Sequence, residues 1–257
     1  MLKSNEWRLS RRRALSILSA CVGIASAPKI GWALGQRSQF GIAEIQLPSS
    51  LNRTLAWQRG LFEVQGSTSI EITETVPTVS LDSVDLFNHP FTALIGDDGF
   101  EPVSTLSIEN LRRYLTYGGF LLLDDASGRN ESGFLESCKR LCKRVFPNLP
   151  LAALHGDHSV YRSFFLLEKP TGRFQLSAQL LGVQVNTITP LMYNANDLSG
   201  ALLVDDSGQY QYLPVPDGEY QRRESVKLLI NLVLYALTSN YKHDQVHVAE
   251  LLRRGEF

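Results

Sequence analysis

Seven side chains in this chain are of types that do acid–base or metal chemistry, and they recur in one kind of place: Asp97, Asp98, Asp124, Asp125, Asp157, His158 and Asp197. Each comes just after a short apolar run that reads as a β-strand. Carboxylates beside an imidazole can divide the roles of general acid and general base, or can hold a hard divalent cation. Asp and Ser also make turns by bonding their own backbone, and Asp124-Asp125-Ala126-Ser127-Gly128 fits that use too. If the strands are parallel neighbours, these side chains converge on one rim. We expect Asp124, Asp125 and His158 to be the catalytic groups of any chemistry there. Asp97, Asp98, Gly118, Gly119, Ser127, Asp157, Asn196 and Asp197 are the expected ligand-binding residues. No resident metal or cofactor is assigned.

Other constellations carry less. Cys138 and Cys142 lie one turn apart on one helix, where thiols pack as small apolar groups and point poorly for a bridge. There is no CxxC motif. His243-Asp244-Gln245-Val246-His247 imitates the zinc-protease H-E-x-x-H, but Asp is one methylene shorter than Glu and no third ligand is evident. Tyr210, Tyr212 and Tyr220 are expected to pack their own loop.

The elements that must position the rim centre on Leu111 to Gly128. Ile108, Leu111, Tyr114 and Leu115 recur at helical spacing, with Ser107 as the expected N-cap. Gly118 and Gly119 stop that helix. Phe120 to Leu123 is a continuous apolar run, the habit of a strand covered on both faces. Further strands are expected over 40–47, 70–73, 91–95, 149–154, 180–185 and 191–193. Helices are expected over 51–64, 131–146, 225–238 and 246–252. Strands alternating with helices predict a flavodoxin-like, doubly wound α/β domain, its mostly parallel sheet covered by helices on both faces.

The chain has 257 residues and a formal charge of -1, but the charge is unevenly spread. Residues 1–35 hold six basic residues and one acidic one, leaving 19 basic against 25 acidic in the body, a balance of -6. An acidic body argues against a nucleic-acid partner. The basic start, the small apolar run of residues 14–27 and the Ala33-Leu34-Gly35 stop have the layout of an export signal. Ser10-Arg11-Arg12-Arg13-Ala14-Leu15 resembles a twin-arginine translocation signal, although Phe is missing after the arginine pair. The expected organisation is a signal over 1–35 and an α/β domain over 36–257, in a periplasmic or exported protein. Leu18-Ser19-Ala20-Cys21 also resembles a lipobox, so a lipid on Cys21 or a retained anchor stays open as the membrane contact.

Several body segments together look like the domain-of-unknown-function family 4159: Phe91 to Gly96, Leu111 to Asp125, Asp157 to Phe165, Tyr193 to Leu198 and Asn231 to Tyr241. The resemblance implies a sheet similar to that of class I glutamine amidotransferases and suggests a cell-envelope setting, but it implies no activity. Those enzymes carry a cysteine nucleophile where this chain has Asp124-Asp125, so amidotransferase activity is not expected. Two functions remain. The first is a non-catalytic module that binds a small ligand or a cell-envelope protein. The second is a hydrolase using the acidic rim with His158, with or without metal assistance.

Overall fold

The structure, a computed structural model, describes residues 39–254, and side chains as far as residue 238. The expected signal segment and Cys21 lie outside the described residues. So do the side chains of His243 and His247, whose backbone is helical.

Seven strands form one sheet in the order β2-β1-β3-β4-β7-β6-β5. They are β1 (Ile42–Ile45), β2 (Thr78–Val79), β3 (Phe91–Gly96), β4 (Phe120–Asp125), β5 (Ala152–Ala153), β6 (Leu181–Val185) and β7 (Ile188–Asn194). The first five in that order run parallel; β6 and β7 form an antiparallel hairpin pair, and β5 pairs antiparallel with β6. The central position belongs to β4, as its unbroken apolar run demands. All six of its residues are buried.

Helices cover both faces. On one side α1 (Thr54–Ser67), the short α4 (Leu198–Leu202) and α5 (Gly218–Arg254) pack on Phe91, Phe120, Leu122 and Met192. On the other, α2 (Thr105–Thr116) and α3 (Gly133–Val145) pack on Leu94, Leu121, Leu123 and Leu191. In α3 the residues Phe134, Cys138, Leu141, Cys142 and Val145 are buried, while Lys139, Arg140, Lys143 and Arg144 face solvent. Burial pushes the Cys142 thiol up to about 12, which suits a core residue and not a nucleophile. Arg112 of α2 donates to the carbonyls of Arg144 and Val145, placing a cation at the negative end of α3. Among the described residues no helix is long and apolar enough to cross a membrane.

Several boundaries differ from the expectation. The segment 70–73 contributes only a bridge from Ile72 to Phe40, and the edge strand is Thr78–Val79. Ser104, not Ser107, caps α2, accepting from the Ser107 amide. The two helices expected near the C-terminus are one continuous helix. Gly118 has the left-handed φ of 100° that a helix stop needs. Gly119 is required for a different reason: a Cβ there would lie 2.3 Å from the Tyr114 ring.

After β5 the chain does not build another helix. It crosses the α5 side of the sheet as a 3-10 turn, Ser159–Arg162. Asn231 of α5, fully buried, holds this crossing. Its Oδ1 accepts from the Phe164 and Phe165 amides and its Nδ2 donates to the Val160 and Phe165 carbonyls. Asn231→Ala leaves four backbone groups without their partner and is expected to cost on the order of 3 kcal/mol in urea unfolding. A change below about 1 kcal/mol would show that the clamp is dispensable.

Candidate functional site

The paired aspartates lie within β4, not beyond it, and this decides what they do. Successive strand residues point to opposite faces, so Asp124 and Asp125 diverge. Asp124 is fully buried on the α4 side. Its oxygens accept from the amides of Leu198 (2.8 Å) and Ser199 (2.7 Å) and from Asn194 Nδ2 (3.2 Å). Burial raises its carboxyl above the usual range although these donors oppose the shift. Asp125 faces the α3 side. There it accepts from the Ser127 amide (2.8 Å), the Tyr193 hydroxyl (2.6 Å) and the hydroxyl of Ser132, the N-cap of α3.

Asp197 and Asn196 secure the loop after β7. Asp197 takes a left-handed conformation, φ 59° and ψ 67°, which Asp tolerates better than most residues. It accepts from the Gly200 amide (2.9 Å) and forms an ion pair with Arg173 Nε at 2.5 Å. Burial, then the neighbouring Asp124, pushes its carboxyl up to about 6 against the pull of Arg173. Arg173 lies over the rings of Phe174 and Tyr212, with centroids 4.2 and 4.5 Å away. Asn196 accepts from the amides of Leu176 and Ser177 and donates to the carbonyls of Pro170 and Ser177. Only glycine fits at 172, where a Cβ would meet the Asn196 carbonyl oxygen at 2.0 Å.

The remaining expected residues do not join these. Asp97 and Asp98 are exposed, and Asp98 accepts from the adjacent Gly99 amide. Asp157 is exposed and pairs with Arg162 at 2.9 Å. Ser127 accepts from the Arg129 amide within its own turn. His158 accepts from the Val160 amide, contacts Thr189 Oγ1 at 3.0 Å and stacks near Tyr235. Thr189 is the second residue of β7, and Asn194, level with Asp124, closes the strand. Five residues of strand, roughly 17 Å, therefore separate the imidazole's contact from Asp124. Gly118 and Gly119 also lie at that amino-terminal end, just before β4. The expected Asp124–Asp125–His158 group is thus not assembled. The strand pleat splits the two acids, and the chain after β5 carries the histidine under α5. Among the described residues, no three His, Cys, Asp or Glu side chains come together as a metal site.

A concave feature of the carboxyl edge lies elsewhere. From β1 the chain passes to β2 on one side and returns to β3 on the other, so the loops after these strands part. Parallel sheets bind ligands in such crevices. A cavity of about 550 Å³ opens between residues 46–49, 80–82, 99–104 and Ser107. A second, of about 440 Å³, adjoins it over Glu44, and both touch Gln46, Leu47, Pro48 and Ser80.

Glu44 is only 2% exposed. It accepts from the Arg53 amide at 2.9 Å and contacts the Thr54 hydroxyl at 3.4 Å, and burial pushes its carboxyl up to about 7. Asp82, at the open side, accepts from the hydroxyls of Ser104 (2.9 Å) and Ser107 (2.5 Å), which hold its carboxyl below the usual range. Sequence reasoning passed over Glu44. The available signal was an acid in phase with the inward-facing Phe40 and Ile42.

Residues 52–237 match the model of a family described as a domain of unknown function, DUF4159. A comparison with curated proteins gives no match.

Two outcomes follow from the buried acids. Asp124→Ala strands the Leu198 and Ser199 amides in the core, and is expected to lower the urea unfolding free energy by on the order of 3–5 kcal/mol. A loss under about 1 kcal/mol would mean the loop re-satisfies itself. Glu44 binds its proton more tightly folded than unfolded, so its contribution is complete below 4.5 and is lost as the pH rises to about 7. Wild-type stability is expected to fall across that window by on the order of 2 kcal/mol relative to Glu44→Gln. Parallel pH profiles of the two proteins would refute the assignment.

Proposed function

We propose that this chain, which belongs to the DUF4159 family, is an exported, non-catalytic α/β module that binds a small ligand of the cell envelope at the carboxyl edge of its sheet. The observation that carries this reading is the crevice between the β1, β2 and β3 loops, together with its buried Glu44 floor. The acids first expected to do chemistry serve instead as hydrogen-bond acceptors for loops and helix starts. They hold the rim rigid, which favours binding over turnover.

The hydrolase reading loses its support because His158 lies at the other end of β7 from Asp124. The order β2-β1-β3-β4-β7 supports a flavodoxin-like, doubly wound classification of the sheet. A class I glutamine amidotransferase-like ancestry stays compatible with it, without that family's cysteine at the end of β4.

Export rests on the N-terminal pattern. In the native host the mature N-terminus is expected near Gln36 by Edman sequencing, and Arg11→Lys with Arg12→Lys is expected to leave precursor in the cytoplasm. An intact Met1 in envelope fractions would overturn export by cleavage. For binding, native mass spectrometry of protein from the native envelope is expected to show a small ligand. Ser80→Trp, which fills the space shared by both cavities, should lose it without lowering the melting temperature by more than about 2 °C. Identical spectra for the two proteins would overturn the crevice as the site.

A further inference from the structure

We propose that Arg53 and Arg173, both set against the ring of Tyr212, form a subsite for an oxyanion, the phosphate or carboxylate of a small molecule. Neither arginine lines the two cavities of the crevice, so this site does not depend on the binding reading above.

Among the described residues five arginines are buried or half-buried: Arg53, Arg59, Arg112, Arg173 and Arg222. A guanidinium drawn out of water needs acceptors, because each unmet donor forfeits a charge-assisted bond. Four of the five have them. Arg59 pairs with Glu63, and Arg222 with Glu219 and the Tyr212 carbonyl. Arg112 donates to the carbonyls at the end of α3. Arg173 donates to the Ala126 carbonyl and pairs with Asp197. The Arg53 side chain has no acceptor among the described residues, although its Nε is buried. What it touches is the Tyr212 ring, 5.6 Å from the centroid.

Its position sharpens the imbalance. Arg53 is the N-cap of α1, and the first turn of that helix holds no acid. A cation there faces the positive end of the helix. Arg173 brings a second guanidinium to the same ring, 4.5 Å from the centroid. The carboxylates in the field of Arg53 are Glu44 and Asp197. Burial pushes them up to about 7 and about 6, and Asp197 is already taken by Arg173. Two guanidiniums thus share one ring, and Asp197 is committed to one of them. An oxyanion beside Arg53 meets its donors and offsets the excess charge.

The planar fork of a guanidinium matches the paired oxygens of a carboxylate or a phosphate, and an aromatic face supports that plane. Arg173 lies between the Phe174 ring, 4.2 Å away, and Tyr212, so it is held in place before any ligand arrives. The three residues come from three connections. Arg53 enters α1 after β1, Arg173 precedes β6, and Tyr212 lies between α4 and α5. Loops gathered at the carboxyl edge of a parallel sheet are where such sites form.

The test follows the Arg53 Nε–Hε signal of the full chain by nuclear magnetic resonance as chloride is exchanged for inorganic phosphate, or for acetate, at constant ionic strength. Saturable movement is expected with at least one of them, and the tighter of the two names the oxyanion. Arg53→Gln is expected to weaken that binding at least about tenfold, read at the Arg173 signal. Arg53→Lys keeps the charge and loses the fork, and is expected to weaken it severalfold; it carries the test should Arg53→Gln not fold. Arg113→Gln removes an exposed arginine whose contact is with the Phe87 ring, and should leave the binding unchanged. No saturable movement, movement of the Arg113 signal in step with that of Arg53, or full affinity in Arg53→Lys and Arg53→Gln would overturn the site. The crevice then still stands or falls by the mass spectra of the wild type and Ser80→Trp.

Discussion

A carboxylate at the centre of a sheet must be given donors, and the donors that Asp124 takes organise the carboxyl edge of this molecule. Two come from consecutive backbone amides at the start of α4 and one from Asn194 on the neighbouring strand. A fully buried acceptor without partners would cost several kcal/mol. The chain leaving β7 therefore turns at Asp197 and presents its amides inward, even though Asp197 must adopt a left-handed backbone to do so. Arg173 then neutralises Asp197, and two aromatic rings and the Ala126 carbonyl hold the guanidinium. Each step satisfies a group that the previous one buried.

The same logic works on the other face and at the other end of the edge. Asp125 joins the N-cap of α3 to Tyr193 of β7, so one strand end anchors a helix on each side of the sheet. Glu44 does this less completely. Its environment raises its proton affinity, and it is the buried acid of the edge that lines a cavity. The crevice and the scaffold are thus made of the same residue type. They differ in how fully each carboxylate is supplied with donors.

Much of the fold was legible because burial leaves a periodic mark. The apolar run before Asp124 indicated a covered strand, and it occupies the middle of the sheet. The stripe of Phe134, Cys138, Leu141 and Val145 indicated the inner face of α3. Tyr210 and Tyr212, expected to pack their own loop, instead carry arginines from other elements, Arg59 and Arg222 on Tyr210 and Arg53 and Arg173 on Tyr212, while Tyr220 is exposed. Short edge elements were harder. Thr78–Val79 was missed and Ala152–Ala153 was drawn too long, as 149–154, because two residues are too few to carry a period. The site was read from residue type and position after a strand, and that cue was offset by a residue or two. Asp124 and Asp125 were placed past the strand when they end it.

The sequence by itself determined the layered α/β architecture, the central strand, and the acidic body behind a basic N-terminal segment, because hydrophobic periodicity and charge are local properties of a chain. Only the tertiary structure decided which acids meet. It separated Asp124 from Asp125 through the pleat and placed His158 under α5. It also set Glu44, unremarkable in its strand, beneath a cavity. Those outcomes depend on strand register and on the course of long connections, and neither is written within any single segment.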